Sequence, residues 1–298
     1  MNKNEDFMRF GVDIGGTNIK FVVVDGKKAV YQSSIKTAKT AEALVADIAK
    51  EYRKVKAQYP IGRVGVGVPG LIRNGLVTAV NLDLKEMPLQ KTLEETLGVP
   101  VTVENDANCA AIGELYFGSA AESGDLLVLS LGTGIGGGII MDHKLYKGAN
   151  GVGGELGHMI IHAGGRDCPC GQKGCFEQYA SVTALIREAT AAAGEHPESV
   201  LHAMLEEKGS LNGKDVFTAM DQGDAAAKQV FAGYVEALAA GLDGLTFIFD
   251  PEAIILAGGI TYQGDGLLKP LKEAMFHKVR VDISVLQGSA GSLGAAML

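Results

Sequence analysis

The sequence predicts an α/β protein, and three observations lead there. Short β-branched runs alternate with segments of helical spacing along the whole chain. Two of those runs, 10–14 and 126–131, pass into glycine-rich turns and then into returning apolar segments, so the opening pattern occurs twice. Hydrophobic residues make up 47% of the 298 and charged residues 21%, a balance that supports a sizeable core and excludes a disordered chain.

The elements follow in order. Residues 10–14, the turn Gly15-Gly16-Thr17-Asn18 and residues 19–25 read as a β-hairpin. Ala43, Leu44, Ala46, Ile48, Ala49, Tyr52 and Val55 recur at helical spacing, which predicts a helix within 40–58. Residues 63–68 alternate as a buried strand ending at Pro69-Gly70, and 99–104 form another strand with a helix over 106–116 directly behind it. In the second copy, 126–131 is a strand, 132–138 a glycine turn and 139–141 a returning strand, with Thr17 and Thr133 in matching places. Residues 179–245 carry Ala-rich helical patterns, and 253–256 is a strand running into Ala257-Gly258-Gly259.

Composition narrows the function. A net charge of −8 argues against a dedicated nucleic-acid binder, which presents a basic face. No stretch reaches the roughly 18 uninterrupted apolar residues of a membrane span, and the polar start Met1-Asn2-Lys3-Asn4-Glu5-Asp6 does not read as a signal peptide. Cys168, Cys170 and Cys175 lie clustered while Cys109 stands alone, which fits one thiol site in a cytoplasmic protein better than a disulfide framework. With Trp absent, a carbohydrate site would depend on polar contacts more than on stacking.

Three constellations carry chemistry. Gly132, Gly134 and Gly137 satisfy G-x-G-x-x-G, but an Ile-Ile-Met strand follows where a dinucleotide site needs a helix, and no P-loop motif occurs. Two glycine hairpins with Thr17, Asn18 and Thr133 at their tips remain, and backbone N–H groups at such turns suit anionic oxygens. In Cys168-Pro169-Cys170-Gly171-Gln172-Lys173-Gly174-Cys175, three thiolates can converge on a zinc ion and leave one tetrahedral place open; by spacing either His158 or His162 can fill it. Asn105 and Asp106 stand where a strand meets a helix. There Asp106 is either a candidate base for a hydroxyl or a complement to the helix dipole, with Asn105 an N-cap.

Asp13-Ile14-Gly15-Gly16-Thr17-Asn18 and Leu131-Gly132-Thr133-Gly134-Ile135-Gly136-Gly137-Gly138 resemble the two phosphate motifs of the ROK family (repressors, open reading frames and sugar kinases). Ala257-Gly258-Gly259 resembles its adenosine-side turn, and the stretch from Glu155 through His158 and the three cysteines to Glu177 resembles its zinc motif. The resemblance implies an actin-like, ribonuclease-H-like ATPase fold, with two lobes and a nucleotide cleft between them. Residues 1–117 plus 289–298 would make the N-terminal lobe and 118–288 the C-terminal one, holding the zinc motif and helical block.

It further implies an ATP-dependent hexokinase-type phosphoryl transfer, first of all glucose to glucose 6-phosphate. The alternatives are another acceptor (fructose, mannose, allose, N-acetylglucosamine or N-acetylmannosamine) or a sugar-sensing regulator lacking its DNA-binding domain. Only nine residues precede the first strand, which weighs against the regulator. By the same resemblance Asp106 is the catalytic base, and Gly70, Asn81, Asn105, Glu155, His158 and Glu177 join it at the sugar. Asp13, Gly15, Gly16, Thr17, Asn18, Lys20, Gly132, Thr133, Gly134, Gly258 and Gly259 belong to Mg-ATP, with Asp13 acting on Mg²⁺ through water. His158, Cys168, Cys170 and Cys175 would hold a structural Zn²⁺. The expected partners are a small sugar and a second copy of the chain, with no nucleic acid and no membrane.

Overall fold

The computed structural model describes residues 7–298 except 74, 80 and 81. The chain divides into two compact units: the first takes the chain up to Val128, Gly138–Gly154 and Ser284–Leu298, the second Leu129–Gly137 and Glu155–Ile283.

The first unit opens with a meander, β1 (Met8–Ile14), β2 (Asn18–Asp25) and β3 (Lys28–Lys36), followed by α1 (Ala41–Lys56). Next come β4 (Ile61–Val68), a small sheet of β5 (Leu71–Arg73), β6 (Leu76–Ala79) and β7 (Leu84–Met87), then α2 (Leu89–Leu97), β8 (Val101–Asn105) and α3 (Asp106–Phe117). The main sheet has the order β3-β2-β1-β4-β8, antiparallel between β1 and β2 and parallel from β1 through β4 to β8. β8 starts at Val101, later than the alternation suggests, because Pro100 has no N–H to give a ladder.

The two faces of this sheet are built from different residues. Phe10, Val12, Ile14, Val64, Val66 and Val68 pack in one cluster with Leu44, Ile48 and Tyr52 of α1, and Phe10 stacks on Phe21 at 5.8 Å. On the opposite face Gly11 pairs with Gly65 and Asp13 with Gly67, so the backbone there is almost bare. The C-terminal helix α10 (Ala290–Ala296), last in the chain, packs against β1, β4 and α3 on that face. A Cβ at Gly65 would lie 1.7 Å from the Ala295 carbonyl oxygen, and one at Gly294 only 1.7 Å from that of Cys109. Cys109 is fully buried, as a small apolar helix residue should be.

A second five-stranded sheet has the order β11-β10-β9-β12-β13, formed by β9 (Leu126–Leu131), β10 (Ile135–Met141), β11 (Lys144–Tyr146), β12 (Ala253–Ala257) and β13 (Arg280–Ile283). The same strand order therefore occurs twice, as the repeated glycine hairpins suggest. The second glycine turn, expected over 132–138, is confined to residues 132–134, and Gly136-Gly137-Gly138 lie within β10. A Cβ at Gly138 would stand 2.5 Å from that of Ala111, so glycine there admits α3 and makes no turn.

The second unit also holds α4 (Glu177–Ala180), α5 (Val182–Glu195), α6 (Val200–Lys208), α7 (Gly213–Asp221), α8 (Ala225–Phe249) and α9 (Asp265–Ala274). By length and composition α8 could cross a membrane, yet Lys228, Glu236 and Asp243 interrupt it. Its Phe231, Val235, Leu238, Leu242 and Leu245 are buried, and it packs against α5, α7 and α9 as a core helix.

The bare face makes a clear prediction for stability. Gly65→Val should destabilise the protein by about 1–3 kcal/mol or more through overpacking against α10. Gly194→Ala, at a helical site with nothing within 4 Å of the new Cβ, should slightly stabilise it. Paired thermal unfolding curves check both directions.

Candidate active site and metal cluster

In the first unit the candidate residues gather at the carboxyl ends of β1, β4 and β8. Asp13 projects from the bare face of β1, where Gly67 beside it leaves room for the first turn of α3. A Cβ at Gly67 would lie 3.7 Å from Asp106 Cα, and one at Gly291 only 2.8 Å from the Asp13 carboxyl carbon. Burial pushes the Asp13 pKa up to about 6, against the pull of Lys20 and with a further push from Asp106. Lys20 faces Asp13 across the hairpin, and its Nζ donates to the Gly288 carbonyl at 2.5 Å. The turn closes with Gly15 N–H donating to the Asn18 carbonyl at 3.0 Å, leaving Gly16, Thr17 and Asn18 exposed at its tip.

Asn105 ends β8 and caps α3: its Oδ1 accepts from the N–H of Ala107 at 2.9 Å and of Asn108 at 3.2 Å. Its Nδ2 donates to the Gly70 carbonyl at 3.2 Å, which ties the cap to the turn after β4. Asp106 is the first residue of α3, and burial raises its pKa although the Ala107 N–H opposes the shift. Capping and a perturbed carboxylate thus coexist on adjacent residues. Asn81 lies outside the described residues. Glu104 and Lys147, outside the expected site residues, are joined at 3.0 Å behind Asn105; the sequence signal for them is the carboxylate directly before the Asn-Asp pair.

In the second unit, Gly132 N–H donates to the Gly134 carbonyl at 3.0 Å and Thr133 is exposed at the tip. A Cβ at Gly134 would stand 2.5 Å from Glu177 Oε2, and one at Gly258 2.2 Å from the Leu131 carbonyl oxygen. The turn 132–134, Glu177 and the Gly258-Gly259 turn therefore share one end of the second sheet.

Beside Glu177, the donor atoms of His158, Cys168, Cys170 and Cys175 all lie within 4.8 Å of one another. Cys170 and Cys175 Sγ are 3.6 Å apart, and Cys168 Sγ is 3.7 Å from His158 Nδ1. Zinc bonds of about 2.0–2.3 Å at tetrahedral angles give ligand separations of about this size. The residues fit the ion chemically too: burial pushes the Cys168 thiol up to about 12 and raises Cys175, so a cation is what would keep thiolates there. His162, which spacing left open, is exposed and stacks on Tyr179 at 5.7 Å, apart from the cluster. His158 turns Nδ1 toward the sulfurs while its Nε2 lies 3.9 Å from Glu155 Oε2, and Glu177 Oε1 is 3.3 Å from Cys168 Sγ. One imidazole thus lies between the thiols and the carboxylates of Glu155 and Glu177.

Cys170→Ser should lose bound zinc and thermal stability together. Metal analysis of the purified variant beside an unfolding curve checks this, and a stable metal-free variant would contradict a structural ion.

The ROK family model matches residues 9–298. The Streptomyces coelicolor glucokinase is 38% identical over 274 residues, covering 90% of this chain and 86% of that protein. Among solved structures, a ROK family glucokinase from Streptomyces griseus in complex with glucose and AMPPNP superposes with a TM-score of 0.82 at 36% identity, over 97% of this chain and 98% of that one. The ROK hexokinase from Thermus thermophilus gives 0.87 at 30% identity, over 98% and 97%. These neighbours have the actin-like ATPase fold that the family resemblance implies. With the fold, the duplicated sheet order and the family match in agreement over nearly every residue, this chain belongs to the ROK family.

Proposed function

We propose that this ROK protein is an ATP-dependent glucokinase that transfers the γ-phosphoryl group of ATP to the 6-hydroxyl of glucose. The observation that carries the reading is Asp106, a carboxylate with a raised pKa, held at a strand–helix junction by the Asn105 cap. Its relatives support the substrates, since the Streptomyces griseus glucokinase binds glucose and an ATP analogue.

A sugar hydroxyl is a weak nucleophile until something takes its proton. Asp106 accepts that proton as the hydroxyl oxygen bonds to the γ-phosphorus, while the bond from phosphorus to the β,γ-bridging oxygen breaks and ADP leaves. Asn105 and Gly70 would contact the sugar beside Asp106, together with Asn81. Glu155, His158 and Glu177 carry hydrogen-bonding groups that suit sugar hydroxyls. Gly15, Gly16, Thr17, Asn18 and Lys20, and Gly132, Thr133, Gly134, Gly258 and Gly259, supply amides, hydroxyls and one cation for the nucleotide. Asp13 would hold Mg²⁺ through water, and a divalent cation beside it favours the ionised carboxylate that burial disfavours. Mg²⁺, when bound, neutralises phosphate charge. Zinc would keep the His158 ring in one tautomer and orientation, leaving Nε2 for a sugar hydroxyl.

The same proposal extends to a cytoplasmic homodimer. Four cysteines without a disulfide support a reducing compartment. Phe247, Ile248 and Phe276, all more than 60% exposed, support an apolar face for a second copy. Ile248→Glu should then shift the mass measured by light scattering toward the monomer.

Release of ADP from Mg-ATP across glucose, fructose, mannose, allose and the two N-acetylhexosamines tests the substrate. Glucose should dominate, and a strong preference elsewhere would replace it. Asp106→Asn should lower kcat by about 10²–10⁴-fold while glucose still binds. A base works only when ionised, so wild-type activity should be full at high pH. It should fall as pH drops through the Asp106 pKa, which burial raises from the ordinary aspartate value.

A further inference from the structure

We propose that Glu104 and Lys147 form a positioning pair that ties the glycine loop 147–154 to the catalytic strand end and thereby sets sugar affinity; this rests on the kinase reading above. Glu104 is the last residue before Asn105-Asp106, and it is buried. A buried carboxylate is costly unless its lone pairs are filled. Here Oε1 accepts from the N–H of Asn105 at 2.9 Å and from Asn108 Nδ2 at 3.0 Å, while Oε2 meets Lys147 Nζ at 3.0 Å.

Two things follow from those contacts. Asn105 is held at every polar atom of its cap: its N–H by Glu104, its Oδ1 by the helix amides, its Nδ2 by Gly70. Lys147, in turn, opens a loop rich in glycine. Gly148, Gly151 and Gly154 there have φ of +67°, +75° and +105°, and Lys147 is its one charged side chain. The Lys147 carbonyl accepts from Gly153 N–H at 2.9 Å, so the loop is pinched where the ion pair grips it. The next residue after the loop is Glu155, which the kinase reading assigns to the sugar. The carboxylate that braces the catalytic junction is therefore the one that moors the approach to a sugar-binding residue. The partners of the pair are Asn105, Asn108 and the loop itself, so the pair should act on sugar and leave ATP alone.

The test uses the full-length, zinc-loaded protein and the variants Lys147→Met, Lys147→Arg and Glu104→Gln. Lys147→Met should raise the glucose KM about tenfold, the scale of one charge-assisted hydrogen bond, with the ATP KM changed less than about twofold. It should also speed amide exchange across 148–153, and Lys147→Arg should recover both. Glu104→Gln keeps an acceptor for Asn105 and Asn108 but no charge for Lys147, and should match Lys147→Met. Wild-type glucose KM and exchange in Lys147→Met would overturn the proposal. So would a parallel rise of both KM values with a lowered Tm, the mark of a merely structural contact. If the wild-type protein phosphorylates no hexose, the kinase reading falls, and exchange at 148–153 still decides whether the pair moors the loop.

Discussion

The close approach of α10 and the first turns of α3 to a glycine-lined sheet face underlies most of what the first unit does. Side chains normally hold a helix about a side-chain layer away from a sheet. At Gly11, Gly65 and Gly67 that layer is missing, and helix backbone comes to van der Waals distance of strand backbone. A chain terminus is thereby locked onto the middle of the sheet, since α10 lies over β1 and β4. The same missing side chains bring the start of α3 close to the end of β1, so Asp13 feels the charge of Asp106. Packing and electrostatics at the candidate site therefore have one origin.

The cost of that closeness is visible in the carboxylates. Asp13 and Asp106 are both held less ionised than an exposed aspartate, chiefly by burial. A group destined to accept a proton gains from such a shift, because a stronger base is a better acceptor once ionised. Two such groups side by side also make a place where a divalent cation is favoured. The second unit answers with a different device. Three thiols and one imidazole surround a volume suited to zinc, and the imidazole's second nitrogen points to Glu155. A metal there is a brace: it would fix a ring, and the ring orients a hydrogen-bonding group.

Much of this was legible in the residue order. The α/β class, the duplicated hairpin, the helix behind Asn105 and the thiol cluster each rest on local signals: alternation, turn chemistry, capping residues and ligand spacing. Such signals survive without knowledge of the rest of the chain, because each depends on neighbours within a turn or two. The tip residues Thr17, Asn18 and Thr133 are exposed where hairpin chemistry places them. Even Asn105 as an N-cap could be read from a polar residue following a strand and preceding a helical run.

What tertiary structure alone decided concerns residues whose partners lie far along the chain. His158 and His162 are equivalent by spacing; the family resemblance favours His158, and the physical reason lies in the fold, which turns it toward the sulfurs and stacks the other on Tyr179. Gly136-Gly137-Gly138 read as turn because glycine usually serves turns; they lie in β10, and α3, some 30 residues upstream, occupies the space a Cβ at Gly138 would need. Glu104 and Lys147 are 43 residues apart and look like a strand end and a loop charge until the fold joins them. The sequence by itself thus determined the elements and the chemical types at the site, since those follow from local periodicity and composition. Which side chains face one another was decided by the tertiary structure, because close packing selects partners by shape and distance without regard to their separation along the chain.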